Sequence, residues 1–444
     1  MKSLSHSIRT LLLAGCYACS AGSCKTDRPP ALPSSEIGKV IHLMSATMIH
    51  DVTNPPLAAR FFAYACITGY EIISENDTII PSLHGRLKEY PVITKPASLT
   101  DYDVNLSCVL GIMETAAKIQ PSGHLIAKEE QRYLDSCRKI GFSETLIDSS
   151  VRYAKLVSQQ ILAYAKADRY NRISNFPRYT PPDQPGSWVP TPPAYMAPVE
   201  PYFNTIRPFT LDSASQFIPE PPASFSSDTA STFYHYARLV YTEGGAGLTP
   251  EHRDIANFWD CNPFAVENNG HMLIGLKKIS PGAHWMGITN IACEKAKTGF
   301  AKTMQINTAV AIGLMDAFMC CWDDKYRTNR IRPETAIRKY IDPNWRPLLQ
   351  TPPFPEYISG HSVISAASST ILTHYLGDHF SYMDNVEEGY HIPPRSFTSF
   401  TQAAQEAALS RFWGGIHFKD AIEKGLVQGD QVGNWVIKKM AINL

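Results

Sequence analysis

ETLIDSSVRYAKLVSQQILAYAKAD, residues 144–168, places Ile147, Val151, Ala154, Val157 and Ile161 at three- and four-residue steps. That spacing lines one face of an α-helix, whereas a half-buried strand would alternate every second residue. The same helical composition extends outward in both directions. Upstream it covers 126–140, 101–118 and the apolar segment from Pro55 to Tyr70; downstream it covers 227–243, 250–260, 282–298, 301–323, 360–376, 402–413 and 419–440. Strand-like alternation is scarce and no internal repeat appears. The expectation is an all-α body of about ten helices packed as bundles. Residues 171–223 interrupt the pattern with Pro, Ser and aromatic residues. Trp188, Tyr195, Tyr202, Phe203, Phe209 and Phe217 make that stretch too apolar for a free linker, so it reads as a long ordered loop wrapping the body. A second Pro-rich piece, PPRSF, lies at 393–397.

The chain has 444 residues, 44% hydrophobic and 18% charged, enough to bury a large core. Lys+Arg and Asp+Glu both number 41. That balance speaks against nucleic acid, whose binders spread surplus positive charge along a face. Any anion chemistry must come from local clusters. Lys2 and Arg9 precede Leu11-Leu12-Leu13-Ala14-Gly15-Cys16, the form of a secretory signal. Leu13-Ala14-Gly15-Cys16 resembles the bacterial lipoprotein processing motif. Residues 1–15 are therefore expected to be a signal peptide and 16–40 a tether, with membrane attachment through a lipidated Cys16. Residues 41–444 would form a single helical body. The expected location is the bacterial periplasm or outer membrane. No apolar run reaches the roughly 18 residues that span a bilayer. The ten cysteines show no metal-spaced CxxC pair in the body and read mainly as buried thiols.

Three segments carry chemistry. The first holds Trp322, Lys325, Arg330 and Arg332-Pro333; the second is Phe354-Pro355-Glu356-Tyr357-Ile358-Ser359-Gly360-His361; the third runs from Ser410-Arg411 through Gly414-Gly415 to His417 and Asp420. Lys325 and Arg332 are seven apart, so on a helix they lie two turns along one face. Arginine meets two oxygens with a planar fork, and lysine acts as a point charge. Ser359 suits a helix N-cap, whose free amides face any anion placed there. Gly360 permits close backbone approach, and His361 can exchange a proton near neutral pH. Gly414-Gly415 lets the chain turn and present His417 from the opposite side. Two imidazoles and three cations suit a tetrahedral oxyanion. Pro121-Ser122-Gly123-His124 has the form of the second segment but no basic partner nearby, so it reads as a turn and cap. His284 reads as a helix-start residue near the pocket mouth, outside the catalytic set.

These residues resemble the phosphatidic acid phosphatase type 2 (PAP2) and vanadium haloperoxidase superfamily, whose signature is Lys-x6-Arg-Pro, Pro-Ser-Gly-His and Ser-Arg-x5-His-x3-Asp. The likeness is strongest over 322–420, within a catalytic region at about 300–440. WVPTPPAY at 188–195 and FWDCNPF at 258–264 extend it to haloperoxidase-related bacterial proteins. The resemblance implies an all-α PAP2/haloperoxidase bundle with long Pro-rich loops. It gives His417 the role of phosphorylated nucleophile, or of nitrogen ligand to the vanadium of vanadate, and His361 that of acid–base. Lys325, Arg332, Arg411, Ser359 and the Gly360 amide would hold the oxygens, with Trp322, Phe354, Ser410 and Asp420 lining the pocket. Two positions depart from the signature. Ile358 replaces the proline, and Ala421 stands where the orienting aspartate belongs, with Asp420 one residue early. Trp322 and Phe354 match the halide side of chloride-oxidising members, while Ser368 stands where bromoperoxidases carry a histidine. The implied activity is vanadate-dependent oxidation of halide by hydrogen peroxide. The alternatives are a phosphomonoesterase, which needs no cofactor, and a non-catalytic phosphate-binding surface protein.

Overall fold

The computed structural model describes residues 29, 31–268 and 270–440. The signal-peptide and Cys16 expectations lie outside the described residues. Thirteen α-helices appear among those described. Five form the first half: α1 Ser35–His50, α2 Pro55–Ser74, α3 Val104–Ile119, α4 Gly123–Lys139 and α5 Glu144–Lys166. The second half has α6 Thr232–Tyr241, α7 Pro250–Phe258, α8 Pro281–Lys295, α9 Phe300–Thr328, α10 Pro333–Tyr340, α11 Gly360–Leu376, α12 Phe400–Trp413 and α13 Lys419–Met440. Two short antiparallel ribbons complete it: β1 Val266–Asn268 with β2 Leu273–Gly275, and β3 Tyr382–Asp384 with β4 Arg395–Phe397. The class is all-α, as the periodicity implied.

Helix α9 is the axle. It packs against α2, α8, α11 and α13. By length and composition it could cross a membrane, contrary to the expectation that no segment could, but its apolar window is wholly buried inside the protein. One hydrophobic cluster runs from Ile37 on α1 to Met440 on α13. Asp316, buried in the middle of α9, accepts hydrogen bonds from the Phe209 and Thr210 amides (2.9 and 2.8 Å) and from the Thr210 hydroxyl (2.6 Å). These bonds pin the 171–223 loop onto the core, and Trp188, Phe203 and Phe209 are buried beneath it.

Two helices were not anticipated. Helix α1 begins at Ser35, inside the stretch expected to be a tether. Helix α10 is short and starts directly at Pro333. The Pro121–His124 stretch turns the chain between α3 and α4, and a Cβ on Gly123 would lie 1.9 Å from the Ala117 carbonyl oxygen, so only glycine fits. The seven cysteines among the described residues are buried and free.

Candidate active site

The three signature segments meet where α9 ends, α11 begins and α12 turns into α13. Lys325 sits on the last turn of α9, and Asn329 closes that helix in the left-handed region (φ 46°). The chain then runs extended to Arg332, the N-cap of α10 (ψ 152°), as a residue before proline prefers. Ser359 caps α11, its hydroxyl accepting from the Ser362 amide at 3.3 Å. Gly414 caps α12, and Gly415 at φ 78° makes the turn that swings His417 back over the α11 N-terminus. A Cβ at Gly415 would press on Pro347 and Trp345 at 3.0 Å, so this turn needs glycine.

A narrow pocket opens here. Gly360, His361, Arg411 and His417 line it on the polar side, and Phe318, Trp322 and Phe354 on the apolar side. Trp322 and Phe354 touch ring to ring at 5.0 Å, and the indole Nε1 donates to the Val199 carbonyl. Lys325 and Arg332 lie one layer back and are fully buried. The Lys325 ammonium donates to the carbonyls of Pro355 (3.0 Å), Glu356 (3.1 Å) and Ile358 (2.5 Å), gripping the loop that leads into α11. Burial, with Arg332 adding to it, pushes Lys325 down to about 8. Burial likewise takes Arg332 down to about 10.

His417 has its tautomer fixed from both sides. Nδ1 lies 2.9 Å from Glu356 Oε1, a carboxylate oxygen that can only accept from it. Arg332 Nη1 lies 3.1 Å from Nε2 and can only donate to it. Nδ1 therefore carries the hydrogen and Nε2 the lone pair. Burial and the charges of Arg332, Lys325, Arg411 and Arg330 hold the ring well below the usual imidazole range, so it stays neutral. His361 is also held well below that range, by burial and then by Arg411 and His417. Its Nε2 is buried without a partner, so with the hydrogen on the other ring nitrogen it too presents a lone pair.

The charge balance calls for an anion. Neither Lys325 nor Arg332 forms an ion pair among the described residues, and Arg332 Nη2 is buried without a partner. Arg411 has Asp260 only at 4.0 Å. Isolated buried cations are costly, and a small oxyanion would supply both the charge and the missing acceptors. On these grounds the residues present fit a tetrahedral oxyanion.

Other expected residues fall elsewhere. Asp420 does not line the pocket; it pairs with Arg330 at 2.7 Å. Ser410 is buried, accepting from Arg411 Nε at 2.9 Å and donating to the Ala407 carbonyl. Ser359 is likewise buried behind its helix cap. His284 is fully buried on the first turn of α8 rather than at the pocket mouth. The residue that spacing did not single out is Glu356, quoted in the second segment without a role. Its Oε1 also accepts from the Phe418 amide at 2.9 Å, and its Oε2 from Arg330 at 3.2 Å. The available signal was a carboxylate three residues before Ser359.

A helical bundle that brings two neutral imidazoles and three buried cations to one helix N-terminus defines an oxyanion site of the PAP2/haloperoxidase type. A family model described as the VCPO second helical-bundle domain matches residues 305–443. A crystal structure titled the first bacterial vanadium-dependent iodoperoxidase is 42% identical over 93% of this chain and 98% of its own, with a TM-score of 0.87. Holo and apo forms of a bacterial vanadium-dependent chloroperoxidase share the fold, with TM-scores of 0.65 at 16% and 15% identity over 88% of this chain and 93% and 95% of theirs. No curated protein matches by sequence. The chain belongs to the vanadium haloperoxidase family of the PAP2 superfamily.

Proposed function

We propose that this enzyme takes up vanadate in the two-histidine pocket and uses hydrogen peroxide to oxidise iodide. The observation that carries the reading is His417, a neutral imidazole whose Nε2 lone pair faces a cluster of buried cations. The choice of iodide rests on the 42% identical iodoperoxidase. His417 Nε2 would hold the vanadium, and Arg332, Arg411, Lys325 and the α11 N-terminus would neutralise the oxygens. Bound vanadate would supply the electrophilic centre for oxygen transfer. His361 Nε2, with its free lone pair beside Arg411, takes the proton that incoming peroxide gives up. The Trp322–Phe354 wall keeps water from the apolar side.

Purified protein loaded with orthovanadate is expected to oxidise iodide with peroxide, and to lose that activity when vanadate is omitted. Release of phosphate from p-nitrophenyl phosphate without iodide oxidation would turn the assignment to a phosphomonoesterase. His361→Ala should lower turnover by about 10²-fold or more, the usual effect of losing a positioned base. Vanadate affinity should change by no more than a few-fold in that variant. A titration showing lost affinity with normal turnover contradicts the role given to His361.

A further inference from the structure

Beside the pocket, with Cys261 reaching its lining, lies a second cluster that the oxyanion chemistry does not use. Cys261 is on the loop after α7, His284 on the first turn of α8, and Glu387 just after β3. All three are buried, at 1%, 0% and 2% exposure. Cys261 Sγ lies 3.3 Å from His284 Nδ1 and 3.1 Å from Glu387 Oε1, and the last two atoms are 3.1 Å apart. A thiol, an imidazole and a carboxylate, from segments more than 20 residues apart in sequence, thus form a nearly equilateral triangle. The face of a tetrahedral zinc site, with bonds of about 2.0–2.3 Å, has edges of about 3.3–3.6 Å. The observed triangle is slightly tighter and has the same shape.

The far side of the imidazole gives a second, independent indication. His284 Nε2 lies 2.8 Å from Asp384 Oδ2, a fully buried carboxylate. That oxygen can only accept, so Nε2 carries a hydrogen and Nδ1 is the nitrogen left to a metal, which would replace the proton that Nδ1 otherwise shares with Glu387 Oε1. A carboxylate behind the distal nitrogen is the arrangement that orients metal-binding histidines. Trp259 stacks on the ring at 4.8 Å and fixes its plane.

We propose that Cys261, His284 and Glu387 bind a divalent cation of the zinc class, with Asp384 orienting His284 and water completing the tetrahedron. The site is structural. It ties the 260–262 loop, which forms one wall of the pocket, to α8 and to the β3 loop. The competing state fills the triangle with protons, a doubly protonated His284 lying between Asp384 and Glu387.

The test is metal content. Full-length protein, equilibrated with zinc and desalted, should retain about one zinc per chain by elemental analysis, counted separately from vanadium. Cys261→Ala and His284→Ala should fall to about a tenth of that. Because either variant could fail to fold, wild-type protein loaded with cobalt(II) provides a second reading. It should show a thiolate-to-cobalt charge-transfer band, and Cys261→Ser, which keeps shape and polarity, should lose that band. Zinc near zero in wild type, or cobalt spectra without the thiolate band, overturns the metal site in favour of the protonated network. The result stands apart from the iodide assay, because zinc and cobalt are read in wild-type protein whether or not vanadate is bound.

Discussion

His417→Ala is expected to reduce vanadate-dependent iodide oxidation to the level of free vanadate, with vanadate affinity falling by about 10³-fold or more. Losing only an outer partner of a metal ligand costs about 10–100-fold, so losing the ligand itself must cost more. The structure offers no substitute. His361 is the other pocket imidazole, and it belongs to a different segment, on the first turn of α11. The other neutral nitrogens in the described pocket lining, the Asn262 and Gln350 amides and the Trp322 indole, are donors with no lone pair to offer. The variant also leaves Arg332 Nη1 without its imidazole partner, although that nitrogen keeps the Ile416 carbonyl at 2.9 Å. The fold should therefore survive, which circular dichroism and the melting temperature can check. A void the size of an imidazole remains beside Glu356. Added imidazole should restore measurable activity, an outcome that loss through misfolding could not produce. Rates near wild type without added imidazole would remove His417 from the mechanism.

How far the sequence could lead differs from residue to residue. Lys325, Arg332, His361, Arg411 and His417 could be named because each belongs to a short segment. Lys325 and Arg332 nevertheless do not lie two turns along one helix as expected: α9 ends at Thr328 and Arg332 is extended at the start of α10. Helix α1 was missed because Pro29, Pro30 and Pro33 precede it and make its start look like linker. Helix α10 has only eight residues, too few for a period to show. The carboxylate behind His417 was sought one helical turn along α13, where Ala421 stands. In the structure the Ala421 carbonyl accepts from the Ser359 amide at 3.1 Å, locking α13 to the α11 cap. Asp420 turns to Arg330 instead. The carboxylate arrives from Glu356, 61 residues away in sequence, and no local spacing could announce that. The Cys261–His284–Glu387 triangle escaped for the same reason, since its members come from three separate segments.

Glu356→Gln should weaken vanadate binding by about 10–100-fold while the protein remains folded. A hydrogen bond to a charged group is worth about 1.5–3 kcal/mol, which corresponds to the same range. Glutamine matches glutamate in shape, and its carbonyl oxygen can still accept from His417 Nδ1 and the Phe418 amide. What it lacks is the negative charge, which makes the His417 lone pair a better donor and offsets Arg330 at 3.2 Å. If the amide turns its NH₂ toward Nδ1, the other tautomer is favoured and Nε2 no longer offers a lone pair, so the loss moves to the upper end of the range. Two controls separate orientation from general disruption. Glu356→Asp keeps the charge at a greater distance and should fall between wild type and Gln. Asp420→Asn disturbs the same Arg330 from its other side without touching His417, so its effect on vanadate affinity should stay below about 3-fold, in line with the small cost of most substitutions away from a site. Affinity measured by vanadate titration of iodide oxidation distinguishes these cases. Should Asp420→Asn prove the more damaging of the two, His417 would have to be oriented through Arg330, and the direct bond from Nδ1 to Glu356 would not be the one that counts.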